Sequence, residues 1–109
     1  YIHVKDVVGA FIHCMKNYSS MSGQAFNVGL SSANLSKMEL CKEIKKYIPD
    51  FYIEESAINK DPDQRNYIVS NAKIEGTGWK PYYSLADGIK EIINAYPVIE
   101  KSLQKFGNL

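Results

Sequence analysis

Three apolar stripes at helical spacing, separated by short alternating runs, leave this chain few architectures. Val8, Phe11, Ile12, Met15 and Tyr18 recur at intervals of 3, 4 and 7 and predict a helix over about 7–18. Asp6 is placed to cap it through its carboxylate. Ser36-Lys37-Met38-Glu39 has the form of a capping box, in which serine and glutamate satisfy each other's backbone N–H groups. It opens a second helix with Leu40, Cys41, Ile44 and Tyr47 on one face, stopped before Pro49. Ser84 can cap a final helix with Asp87 at its third position and Leu85, Ile89, Ile92, Ile93 and Tyr96 along it. Pro97 is expected to break or kink that helix, leaving 98–106 as a second piece.

Between the stripes lie runs of β type. Tyr1-Ile2-His3-Val4 alternates, Gln24-Ala25-Phe26-Asn27-Val28 ends at Gly29, and residues 51–55 and 66–69 complete a set of four predicted short strands. The predicted fold class is therefore α/β, of an α+β-like kind: a small mixed sheet of short strands with about four helices. At 109 residues it reads as one domain, 1–109, long enough for a core.

The stretch 60–79, KDPDQRNYIVSNAKIEGTGW, departs most from a generic pattern. It joins an acidic, proline-containing loop to a short β-type run. A helical turn capped by Ser70 or Asn71 follows, and then a Gly-Trp close. It also carries Arg65, the one arginine beside twelve lysines. A guanidinium grips a phosphate through two parallel hydrogen bonds, a geometry lysine cannot copy. The competing reading is an exposed ion pair with Asp61 or Asp63, worth less than about 1 kcal/mol. Residue chemistry alone favours neither. Asn27, at a strand end, is equally open between a turn role and a ligand role.

Charge and composition exclude several functions. A net charge of +1 gives no basic face for nucleic acid. No apolar run approaches the ~18 residues that would cross a bilayer, and the N-terminus has no apolar signal segment. Cys14 and Cys41 sit in helical stripes without CxxC spacing and read as reduced, buried thiols of a cytoplasmic protein. His3 and His13 lack a third ligand at zinc spacing. His3 reads as a core or cleft histidine, with ligand contact as the alternative. Glu54 and Glu55 are adjacent, so on a strand they face opposite ways and form no acid/base pair. Tyr1 and Lys5 form a YxxxK spacing that serves catalysis only on a helix, where the pair lies about 6 Å apart. On the predicted strand they stand about 13 Å apart.

Several segments, taken in order, resemble the extended short-chain dehydrogenases, the NAD(P)-dependent nucleotide-sugar epimerases and dehydratases. Tyr1-Ile2-His3-Val4-Lys5-Asp6 resembles their YIHVxD segment, and Phe26-Asn27-Val28-Gly29 their YNxG strand end. The run from Lys60 through Gly78-Trp79-Lys80-Pro81 is similar to their arginine loop, short strand, K-I turn and GWxP close. Ser84-Leu85 opens a helix like their final one. The resemblance implies the C-terminal, substrate-binding portion of a Rossmann-type enzyme whose N-terminal dinucleotide-binding half is absent here. The chain opens without Met inside a structured motif, in keeping with that expectation. The glycine-rich loop and the catalytic tyrosine and lysine are not in this sequence. The resemblance thus implies no catalytic residue, no bound NAD(P) and no metal in this portion, with NAD or NADP in the parent enzyme. The implied partners are a nucleoside-diphosphate sugar, the missing half and possibly a second copy. By resemblance, Asn27 lies near the sugar-nucleotide phosphates. Lys60 stands where many members carry a first diphosphate-binding arginine, and Arg65 holds a second basic position. Lysine at 60 keeps the charge but loses the fork. Tyr67 and His3 are further candidates. Two other readings are a non-catalytic binding module and a subunit that needs a separate partner chain.

Overall fold

Local side-chain capping marks where the three longest described helices begin. The computed structural model describes residues 1–54 and 68–106, with side chains through 100. Helix α1 spans Val4–Lys16, α2 Tyr18–Met21, α3 Lys37–Lys45, α4 Ala72–Glu75 and α5 Leu85–Phe106, with a 3₁₀ turn at Ser31–Ala33. The α3 capping box forms as its sequence predicts: Ser36 Oγ accepts from Glu39 N at 3.2 Å, and Glu39 Oε2 accepts from Ser36 N at 2.7 Å. Ser84 and Asp87 make the same reciprocal pair at the head of α5, at 3.2 and 2.9 Å.

The α/β expectation is wrong for the described residues, which contain helices and no strand. Among the described residues, none of the four alternating runs acquires a ladder. Alternation favours an extended backbone, but a strand also needs a neighbour's row of N–H and C=O groups. Here those groups are met one at a time, largely by side chains. Asn34 bonds the Val69 carbonyl at 3.1 Å and the Val69 N–H at 3.3 Å. Lys73 Nζ donates to the Ala25 carbonyl at 2.9 Å, and Leu30 N to the Tyr1 carbonyl at 3.1 Å. Residues 51–54 and 68–69 are likewise irregular; 55, 66 and 67 lie outside the described residues.

Two helix boundaries also differ from expectation. Helix α1 starts three residues early because His3, with φ −73° and ψ 138°, caps it through its ring. Asp6 is then free for another role inside the first turn. Helix α5 runs through Pro97 without ending there.

The core lies where α1, α2, α4 and Trp79 meet. Ala10, Met21, Ile74 and Trp79 are buried, with Ile2, Cys14, Phe26 and Val28 packed against them. After α4 the chain turns on Gly78, whose φ of +91° suits glycine, and delivers Trp79 inward. Asp6, 6% exposed, ties α1 to the segment before α5 by accepting from Tyr82 N at 2.8 Å and Tyr83 N at 3.0 Å.

The predicted stripe on α1 exists but faces outward. Val4, Val8, Phe11 and Met15 form a row at helical spacing that Tyr18 of α2 extends, and Phe11 and Met15 are each 68% exposed. The opposite side of α1, with Asp6 and Ala10, turns to the core instead. Cys14 and Cys41 are free and half-buried. No described helix is long and apolar enough to cross a membrane.

Candidate functional site

Two connecting segments, 27–34 and 68–75, bring their amide and hydroxyl side chains together. Asn27 Nδ2 donates to the Ser70 carbonyl at 3.3 Å. Asn34 grips the Val69 backbone on both sides, as above. The 3₁₀ turn aims Ser31 at α4, where its hydroxyl donates to Glu75 Oε1 at 2.8 Å and accepts from Asn71 Nδ2 at 3.2 Å. This relay hangs on a buried asparagine, 2% exposed, at the N-terminus of α4. Its side chain fits because residue 29 is glycine: a Cβ there would stand 3.0 Å from Asn71 Oδ1. That oxygen has no hydrogen-bond partner among the described residues. Ser70 Oγ, at 3.4 Å from Ala72 N, supplies the side-chain cap that Asn71 does not.

Asn27 thus stands beside the chain that follows the predicted phosphate loop. Its exposed amide can donate and accept toward solvent. Lys60, Arg65 and Tyr67 lie outside the described residues. The sequence reading named Asn27 but not its neighbours Ser31, Asn34 and Glu75. The clustering of serine and asparagine in Ser31-Ser32-Ala33-Asn34 was the available signal, since such side chains bond neighbouring backbone wherever a ladder is missing.

His3 belongs to a different cluster. Its ring stacks on Tyr83 at 4.3 Å between centroids and is 7% exposed. Nδ1 accepts from Lys5 N at 3.1 Å, and Nε2 pairs with Glu91 Oε2 at 2.7 Å. Lys5 Nζ donates to Glu91 Oε1 at 3.0 Å. That hydrogen bond, and then the one from His3, holds the Glu91 carboxyl below its ordinary range; Glu91 in turn raises Lys5. Both ring nitrogens of His3 are engaged inside the protein. An open cleft of about 560 Å³ lies between α2 and α4, with Gln24, Phe26 and Lys73 in its lining. Asn27 and His3 are not part of that lining. Lys73 rests over the Phe26 ring at 4.6 Å and spends its N–H on Ala25, so its charge is already placed.

The arrangement around Asn27 can bind hydroxyls and phosphate oxygens by hydrogen bonds. No group of three or more His, Cys, Asp or Glu could hold a metal among the described residues.

Set beside known proteins, the chain is similar to enzymes that dehydrate or epimerise nucleotide-linked sugars. It is 27% identical over 120 residues to dTDP-D-glucose 4,6-dehydratase of Homo sapiens, a match covering 97% of this chain and 33% of that protein. The bovine dehydratase is 27% identical over 103 residues, covering 88% of this chain and 28% of the relative. CDP-paratose 2-epimerase of Salmonella typhi is 28% identical over 93 residues, covering 84% of this chain and 28% of the relative. The chain spans about a third of the length of the curated relatives it matches. No protein-family model matches it. The likenesses support a relationship to nucleotide-sugar dehydratases and epimerases as a group.

Proposed function

We propose that this chain is the substrate-recognition portion of an NAD(P)-dependent nucleotide-sugar epimerase or dehydratase, working with a dinucleotide-binding Rossmann unit. The observation that carries the reading is the likeness along almost the whole chain to both a dehydratase and an epimerase acting on nucleotide-linked sugars. The outward apolar row of α1 supports it, because a helix face of that kind is suited to cover by another unit.

In this reading Arg65 takes the diphosphate bidentately, and Lys60 adds a point charge. Asn27 and Tyr67 add hydrogen bonds to phosphate or ribose. His3 enters as the residue that fixes α1 rather than as a ligand contact, since its ring nitrogens are both in use. The Rossmann unit supplies NAD(P) and the catalytic tyrosine and lysine. The present chain contributes orientation, holding the sugar where hydride can leave its ring carbon.

The test is NMR titration of the chain with dTDP, CDP, UDP and GDP, and with one nucleotide sugar of each. Saturable shifts at Asn27 and Arg65 that disappear in Arg65→Ala are expected, with no response to NAD(P). A well-folded chain showing no shifts at about 1 mM of every ligand would overturn the recognition role assigned to it.

A further inference from the structure

The hydrogen bonds around His3 determine where its proton sits. A backbone N–H can only donate, so the Lys5 amide at 3.1 Å requires a lone pair on Nδ1. A neutral imidazole has one N–H, which therefore lies on Nε2 and is donated to Glu91 Oε2 at 2.7 Å. The ring is fixed in this orientation by stacking on Tyr83, and its edge lies against Gly88, where a Cβ would stand 3.6 Å from Cδ2. One imidazole thus caps α1 with one nitrogen and holds α5 with the other.

We propose that His3 is a proton-operated latch between α1 and α5: neutral, it holds both helices, and protonated, it gives up its side-chain cap on α1. A proton added at Nδ1 points at the Lys5 N–H, and two donors cannot bond each other. The cap is lost. The bond to Glu91 becomes charge-assisted and tightens, so α5 keeps its hold on the ring. The other charged and titratable groups around the ring set the balance. Lys5 on α1 shares Glu91 and is repelled by an imidazolium, and its ammonium also sits 5.3 Å from the Tyr83 ring. On the other side, Asp87 on α5 attracts a charged His3 and is itself shared with Lys90. Asp6 spends both carboxylate oxygens on the Tyr82 and Tyr83 amides and offers the ring no acceptor. A positive charge at a helix N-terminus is in addition adverse to the helix dipole.

The lost cap matters because it lies beside Val4, the first member of the outward apolar row. Protonation of His3 therefore loosens one end of that surface while α5 stays attached to the ring.

Ring ¹⁵N NMR of the 109-residue chain tests the latch, with His3→Asn separating its signals from those of His13. At about pH 8 the His3 ring is expected as the Nε2–H tautomer. As pH is lowered until the His3 ring takes up its second proton, the Lys5 amide is expected to move upfield in step with the ring signals. Its hydrogen-exchange protection should drop roughly fivefold, the size of one lost cap. His3→Asn retains a side-chain acceptor and cannot titrate, so the Lys5 amide should then hold still. An Nδ1–H tautomer overturns the proposal. So does a Lys5 amide that ignores the His3 titration, or one whose response persists in His3→Asn.

Discussion

Removing the Asp6 carboxylate should destabilise the chain far more than removing any exposed acid. Its two oxygens accept from Tyr82 N at 2.8 Å and Tyr83 N at 3.0 Å, bonding across 76 and 77 residues of sequence. Hydrogen bonds to a charged acceptor contribute about 1.5–3 kcal/mol each, so the pair is worth roughly 3–6 kcal/mol before water reclaims the freed donors. Tyr82 is 86% exposed, so its amide regains much of its loss. The lower bound, about 3 kcal/mol, is therefore expected for Asp6→Ala. Asp6→Asn keeps one acceptor but turns an amide N–H toward the second donor, and about 2 kcal/mol is expected. With a urea slope of about 1.2 kcal/mol/M, the midpoints by far-UV circular dichroism should fall by about 2.5 M and about 1.7 M. Asp50→Ala, at an exposed site, should stay within about 0.5 kcal/mol of the parent. A folded Asp6→Ala protein with an unmoved midpoint would refute the claim that this carboxylate joins α1 to the approach of α5.

Two further outcomes follow from burial and from charge. Ile74, fully buried, should cost about 3 kcal/mol on change to alanine, whereas Phe11→Ser on the outward row should leave the same midpoint within about 0.5 kcal/mol. The Glu39 carboxyl is lowered by hydrogen bonds from Ser36, Asp87 by Ser84, and Glu91 by Lys5 and then His3. Depressed carboxyls stabilise the fold above their unfolded values, so their contribution to melting temperature should be complete above about pH 5 and be lost below about pH 4. Lys5, raised by Glu91, adds stability that is complete below the ordinary lysine value and lost as pH rises past it. Glu91→Gln should weaken both trends, which thermal melts across pH would show.

Features of this fold were legible in sequence where they depend on neighbours in the chain. The Ser36–Glu39 and Ser84–Asp87 pairs close within three residues, and both formed as read. The four expected strands do not form among the described residues, because alternation cannot say whether a partner ladder exists; Asn34 and Lys73 fill that place with side chains. The α1 row was visible as a stripe, but periodicity does not tell which side meets the core. Ala10, too small to mark a face by hydrophobicity, turned out to define it. Asp6 was read as a cap because acids suit first turns, while His3, one of the less common capping residues, took that position. Around the candidate site, Asn27 was reached by resemblance. The Ser31–Asn71–Glu75 relay joins residues forty and more positions apart, and its one local mark is the clustering of serine and asparagine at 31–34.

The outward row on α1 also has a calorimetric consequence. Unfolding raises heat capacity in proportion to the apolar surface newly wetted, and a typical domain of 109 residues gains about 1.3–1.6 kcal/mol/K. Here Val4, Val8, Phe11, Met15 and Tyr18 already meet water in the folded chain, so their share of that gain is missing and the curve of stability against temperature is shallow. The missing share is deferred: it emerges as a negative heat capacity of association when another surface withdraws that row from water.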